Sequence, residues 1–286
     1  MATILQATIV KNFIPPRKSS SRKGDNGKVL VIGGSYLYHG APILSSLAAL
    51  RTGADLVYTC VPKINVTATR AYSPNLIVLP LVDVKLTRGA VRKLLGLIPK
   101  ELDSATIGMG LGIQDREALK ILVKDLLDRA VMISLDASAL VPDILPEIRD
   151  KKVTVTPHAG EFKRLFGELP PDNVKQRTIM VQKYAKDNGV TILLKGPTDI
   201  ISDGSKTFIN PKNLASMTVG GTGDVLSGVV AAILCKNKNP LEAASAAVYV
   251  NGKAGAFAQK KNGLHIVATD ILDFIPVAMK PFDRIK

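Results

Sequence analysis

Short apolar runs closed by glycine or a polar turn alternate along the chain with longer segments of helical spacing. In Lys28-Val29-Leu30-Val31-Ile32-Gly33-Gly34 a continuous apolar run meets two glycines, the pattern of a buried strand followed by a tight loop. From Ala41 to Thr52 the period lengthens. Ile43, Leu44, Leu47, Ala48 and Leu50 fit a helix packed through small residues, which Gly53 can stop. Further strands are expected at 55–59, 76–79, 105–108, 131–135, 153–156 and 190–195, with helices at 87–97, 115–128 and 173–188 between them. Apolar strands alternating with such helices imply a largely parallel sheet covered on both faces. Past Lys195 the spacing tightens. Segments 199–202 and 206–209 flank Asp203-Gly204-Ser205, a hairpin signal, and two helices over 224–235 and 241–259 close the chain. In such a sheet ligands collect beyond the carboxyl ends of the strands.

Composition narrows the class. The 286 residues are 46% hydrophobic and 22% charged, and neither a repeat nor a low-complexity block divides them. A single domain over 1–286 is expected, with a flexible segment around 18–24 and a fraying end at 280–286. No run reaches the roughly 18 uncharged apolar residues of a membrane span. Lys11, Arg17 and Lys18 follow the apolar start without a cleavage pattern, so the expected setting is cytoplasmic, with no membrane partner. Cys60 and Cys235 lie far apart in apolar surroundings and read as core thiols of a reduced compartment. The net charge of +14 comes in short basic groups, with no basic helix, zinc finger or aromatic pair for RNA. Steering of a phosphorylated small substrate is the leading account, surface solvation the blander one, and a nucleic-acid partner is not expected.

The chemistry concentrates at strand ends. In Thr218-Val219-Gly220-Gly221-Thr222-Gly223-Asp224 the glycines, with Thr222, form a phosphate loop whose free amides open the next helix. No Walker A match occurs. Asp224 falls in the first turn, where the helix dipole favours its carboxylate. It reads either as a base for a hydroxyl attacking phosphorus or as a helix cap. Gly108-Met109-Gly110-Leu111-Gly112 is a tight turn or a ligand wall. Asp136, ending a strand, binds a hydrated cation or organises its loop. In Thr156-Pro157-His158-Ala159-Gly160-Glu161-Phe162, His158 can bond a polar ligand and Glu161 can hold magnesium through water; a capping pair is the bland alternative. Zinc is not expected, for want of further ligands. Lys195 can meet nucleotide phosphates, with Pro197-Thr198-Asp199 as one wall of the pocket, or it is a surface lysine.

Taken in order, these segments resemble the ADP/ATP-dependent NAD(P)H-hydrate dehydratases of the ribokinase-like superfamily. The likeness runs from about Gly27 to Gln259 and includes Gly33-Gly34-Ser35, Gly40-Ala41-Pro42 and Val250-Asn251-Gly252-Lys253-Ala254-Gly255. It implies a ribokinase-like α/β fold, with a largely parallel central sheet and helices on both faces. It also implies Mg2+, ADP or ATP as phosphoryl donor, and a homo-oligomer such as a tetramer. Ala41, Gly110, Gly112, His158 and Asp224 would contact hydrated NADH or NADPH. Lys195, Gly196, Pro197, Thr198, Asp199 and Gly223 would contact the adenine nucleotide. Asp224 matches the general-base position, and Glu161 lies in the metal-associated region. The expected reaction phosphorylates the ring hydroxyl of the S hydrate and expels phosphate. ADP is expected in bacterial and archaeal members and ATP in eukaryotic ones. At 286 residues no preceding epimerase-like domain is expected. Met109 replaces a frequent proline, Asp199 a threonine and Asn251 a histidine; 216–219 also departs from the family pattern. A small-molecule kinase and a non-catalytic nucleotide-binding regulator are the competing readings.

Overall fold

The computed structural model of the chain describes residues 2–211 and 214–286. Its strands are β1 (Thr3–Ile4), β2 (Lys28–Ile32), β3 (Leu56–Pro62), β4 (Ile77–Leu81), β5 (Ser104–Ile107), β6 (Met132–Leu135), β7 (Val153–Val155), β8 (Thr191–Leu194), β9 (Thr198–Ser202) and β10 (Thr207–Pro211). Among the described residues they form one ten-stranded sheet in the order β1-β10-β9-β8-β7-β6-β5-β2-β3-β4. Strands β2 to β8 pair in parallel, and β9 runs antiparallel to both neighbours, as the hairpin signal implies.

The helices are α1 (Ala7–Phe13), α2 (Gly40–Thr52), α3 (Val66–Tyr72), α4 (Arg88–Leu95), α5 (Arg116–Asp128), α6 (Leu145–Ile148), α7 (Ala159–Phe166), α8 (Val174–Asn188), α9 (Thr222–Lys236), α10 (Pro240–Asn262) and α11 (Ala268–Met279). They cover both faces, and the alternation within β2 shows how. Leu30 and Ile32 join the core built with α4, α5, α7 and α8, whereas Val29 and Val31 pack with Ala231 and Ala232 of α9. The second layer crosses at small residues. A Cβ on Gly228 of α9 would collide with the Ser45 carbonyl of α2. That approach brings the start of α9 down onto the strand ends.

Two differences from the sequence expectation have local causes. Helix α9 begins at Thr222 because Gly221, at φ 93°, caps it in the left-handed region; Asp224 is thus its third residue. The closing helices number three rather than two, since α11 continues through Pro276 with Ile271, Leu272 and Ile275 buried. Segment 18–24 forms turns, with the Ser21 hydroxyl donating to the Lys18 carbonyl and the Gly24 amide to the Asp55 carboxylate. The last residues lie along the N-terminal segment, with Arg17 bridged to Ile285.

Candidate active site

Parallel pairing sets the carboxyl ends of β5, β6, β7 and β8 side by side, and each delivers a different group. They are the 108–112 glycine loop, Asp136, His158 and Lys195. Asp136 is the hub. Its Oδ1 accepts from Lys195 Nζ at 2.7 Å and from the Thr156 hydroxyl at 2.8 Å, and its Oδ2 accepts from the Ser227 hydroxyl at 2.7 Å. Glu161 Oε2 lies 3.5 Å from the same ammonium. Burial alone would push the Asp136 carboxyl up, but the Lys195 charge and these three donors hold it below the usual range. Burial likewise works against the Lys195 ammonium, yet Asp136 and Glu161 keep its pKa above the ordinary value. The pair is therefore charged, and three donors already occupy most of the lone pairs of Asp136, which organises its loop, the alternative considered from sequence.

Asp224 is different. Burial first, and then the charges of Asp136 and Glu161, raise its carboxyl to about 7 against the pull of Lys195. Burial thus outweighs the helix dipole, which by itself favours the carboxylate. A carboxylate with a value near 7 is a competent proton acceptor at neutral pH.

The opening amides of α9 lack a side-chain cap, in contrast to those of α7 and α8. Lys195 Nζ stands 3.6 Å from the point where a Cβ on Gly223 would project, and Gly220 faces open space. A cation and uncapped amides thus border one volume. It is a cavity of about 440 Å3 lined by residues that include His158, Lys195, Gly196, Pro197, Thr222 and Gly223, with Leu214, Met217 and Leu226 as apolar walls. Asp199 does not face it. Its buried carboxylate accepts from the Gly196 amide at 3.1 Å and from Asn210 Nδ2 at 3.2 Å, so its side chain shapes the loop that bears Gly196. Thr198 begins β9 and is absent from the cavity lining. Another cavity, lined by Arg17, Arg51, Lys236 and Arg284 among others, lies where α2, α9 and α11 end, away from these strand ends.

The remaining expected residues gather on the other side of Asp136. A Cβ on Gly108, at φ 126°, would strike the Asp136 carbonyl; one on Gly110 would come 3.3 Å from the Ala41 Cβ. Ala41 and Gly110 are thus neighbours. Gly112 borders Ser35 and Lys85. Met109 turns inward and is fully buried, and its carbonyl accepts from the Gly34 amide at 2.8 Å. The structure divides the residues into a cationic cavity and a glycine-walled flank. Asp136 joins them through its carboxylate on one side and its main chain on the other.

His158 and Glu161 realise the capping box. His158 Nδ1 accepts from the Gly160 and Glu161 amides, and Glu161 Oε2 accepts from the His158 amide at 2.9 Å. Among the described residues no group of three His, Cys, Asp or Glu side chains could hold a metal by itself. The donor set fits magnesium that arrives on phosphates and keeps waters, with Glu161 and Asp224 as nearby oxygens. Ser227 and Asn251 were not foreseen as site residues. Ser227 is one turn beyond Asp224 on α9, and Asn251 is a polar interruption in the apolar stretch of α10; those placements were the available signals.

Comparison with known proteins decides the family. A family model described as NAD(P)H-hydrate dehydratase matches residues 29–277. The chain belongs to the NAD(P)H-hydrate dehydratase family. An ADP-dependent (S)-NAD(P)H-hydrate dehydratase of Nitrosopumilus maritimus is 64% identical over 281 residues, covering 98% of both chains. The corresponding protein of Cenarchaeum symbiosum is 63% identical and covers 97% of this chain and 96% of its own. Among solved structures, the ADP/ATP-dependent NAD(P)H-hydrate dehydratase of Bacillus subtilis, co-crystallised with ATP/Mg2+, superposes with a TM-score of 0.84 at 26% identity over 99% of each chain. The expected ribokinase-like architecture of this dehydratase-family chain is borne out, since an Enterococcus faecalis ribokinase-like protein also matches at a TM-score of 0.80.

Proposed function

We propose that the protein is an ADP-dependent dehydratase that returns the S form of hydrated NADH or NADPH to the reduced coenzyme. The observation that carries this reading is the convergence of Asp224, raised to about 7, and the Lys195 ammonium on the uncapped amides of α9. The choice of ADP follows the archaeal relatives.

Hydroxide is a poor leaving group, and phosphorylation of the ring hydroxyl solves that. Asp224 accepts the hydroxyl proton as the oxygen attacks the terminal phosphorus of ADP, and AMP departs. The ring nitrogen then donates its electron pair to expel phosphate, and the CH2 next to the carbon that bore it loses a proton to solvent, which restores the dihydronicotinamide. Lys195 and the amides at 220–223 hold the phosphoryl oxygens and stabilise their charge. Glu161, through water, and the nucleotide phosphates would hold magnesium, which would supply further charge neutralisation. Gly196, Pro197, Thr198 and Asp199 form and support the nucleotide side. Ala41, Gly110 and Gly112 bound the hydrate side, and His158, at the edge of the nucleotide cavity, would contact the hydrate from there. The glycines there leave main chain, rather than side chains, against the ligand. We further propose a cytoplasmic homo-oligomer, a tetramer as the family resemblance implies. No helix among the described residues is long and apolar enough to cross a membrane.

The test supplies the S hydrate, magnesium and either ADP or ATP. Equal yields of AMP, phosphate and reduced coenzyme are expected with ADP, formed about 10²–10⁴-fold more slowly by Asp224→Asn. Accumulation of a stable phosphorylated alcohol without coenzyme recovery would select a kinase. Unchanged turnover in Asp224→Asn would remove that residue from the chemistry.

A further inference from the structure

The cavity where α2, α9 and α11 end measures about 420 Å3, close to the 440 Å3 of the cavity at Lys195. Asn26 and Gly53 line it and stand just ahead of β2 and β3, so it lies at the amino ends of the strands, opposite the active site. Four cations line it, Arg17, Arg51, Lys236 and Arg284, against one acidic residue, Asp283.

Three of these cations are held by main-chain carbonyls. Arg17 donates to Gly53 at the end of α2, Arg284 to Lys11 in α1 at 2.8 Å, and Lys236 to Asp25 at 2.6 Å. A Cβ on Gly53 would collide with the Arg17 guanidinium, so the glycine is what lets Arg17 lie there. The Arg51 guanidinium, from the last turn of α2, has no partner among the described residues. A carbonyl positions a cation without neutralising it, and none of the four belongs to an ion pair among the described residues. The ends of α1, α2, α9 and α11 draw cations, but at about half a negative charge each they fall short of four, even with Asp283.

Between the cations the walls are apolar, with Ile14, Ile233, Met279 and Phe282. Guanidinium groups with unused N–H donors suit a multivalent oxyanion, and the apolar walls suit a carbon body attached to it. We propose that this cavity is a second ligand site, which binds an organic phosphate apart from the nucleotide and the hydrate. Its occupant would join both ends of the chain, since the Arg17 amide donates to the Arg284 carbonyl at 2.9 Å.

The probe is 1-naphthyl phosphate, dialysed to equilibrium against the full chain without nucleotide or hydrate, so the test does not rest on the function proposed above. A saturable site is expected, at least about tenfold tighter than for 1-naphthol, the neutral body alone. Arg51→Glu should weaken that site about tenfold or more, and Arg51→Ser by less, with both melting like the parent in the absence of probe. The probe should raise the melting temperature of the parent more than that of either variant. Lys175→Glu makes the same charge change on α8, and Gly220→Ala alters the phosphate loop; both should leave the site intact. Unchanged affinity in both Arg51 variants would overturn the proposal. So would equal binding of 1-naphthol, which needs only an apolar hole. Equal weakening by Lys175→Glu would reduce the effect to the overall charge of the protein, and loss in Gly220→Ala alone would put the probe in the active site; either result also overturns it.

Discussion

Lys195 Nζ lies 2.7 Å from Asp136 Oδ1, although the two residues end strands β8 and β6 and are separated in the sheet by β7. The pair spans β7 beneath the N-terminus of α9, where Ser227 bonds the other oxygen of the same carboxylate. A single ion pair thus ties two strands and a helix together at the point where Asp224 and the uncapped amides meet.

Breaking that pair from one side should cost more than removing it whole. Lys195→Met strands a buried carboxylate and is expected to lose about 3–5 kcal/mol in urea unfolding. The double variant Lys195→Met/Asp136→Asn should recover part of the loss. A double variant as unstable as the sum of the singles would show that the two groups do not act as a pair.

The raised Asp224 carboxyl sets a pH dependence of rate. With a folded value near 7, kcat/KM should fall about tenfold per pH unit below neutrality. Asp224→Asn should abolish that acid limb and reduce kcat by about 10²–10⁴. An acid limb of the same position in the Asn variant would assign the titration to another group.

The same shift has a consequence for stability, with a definite sign. Asp224 moves from 3.8 to about 7 on folding, so its protonated form favours the fold. That contribution is complete below 3.8 and disappears as pH rises through about 7. Asp224→Asn stays neutral and should melt above the parent by about 2 °C or more at pH 8, with the difference shrinking toward pH 4. Melting curves across that range provide the check.

Two glycine substitutions should separate support from binding. Gly108→Ala places a Cβ against the Asp136 carbonyl at a φ of 126°, so both melting temperature and activity should fall. Gly220→Ala meets nothing within 4 Å and should fold normally, yet its methyl group enters the volume assigned to phosphate. Its KM for ADP should rise about tenfold or more, with stability nearly unchanged. Normal ADP affinity in Gly220→Ala would move the phosphate away from this loop.

Ser227→Ala removes one donor from a buried carboxylate and should destabilise the fold by about 1–3 kcal/mol. Because Asp136 then screens Lys195 differently, the KM for ADP should respond more than kcat. A stability loss with no kinetic change would confine Ser227 to a structural role.

The apolar runs and their terminating glycines determined much by themselves. The parallel core, the β9–β10 hairpin and the grouping of chemistry at strand ends all follow from apolar runs, helical spacing and turn residues, which are local properties of the chain. Lys195, His158 and the 220–224 loop were legible for the same reason, each standing where an apolar run stops. What local pattern does not carry is which groups meet. Asp136 and Lys195 are 59 residues apart. Only the sheet order makes them partners and sets a buried negative charge beside Asp224, whose own burial, with that charge, raises its carboxyl. The same holds for Asp199, which lies in the expected segment but bonds inward, and for Asn251, whose unpaired oxygen becomes visible only once α10 is packed. Burial and charge act through space, so proton affinities and buried bonds were decided by the tertiary structure.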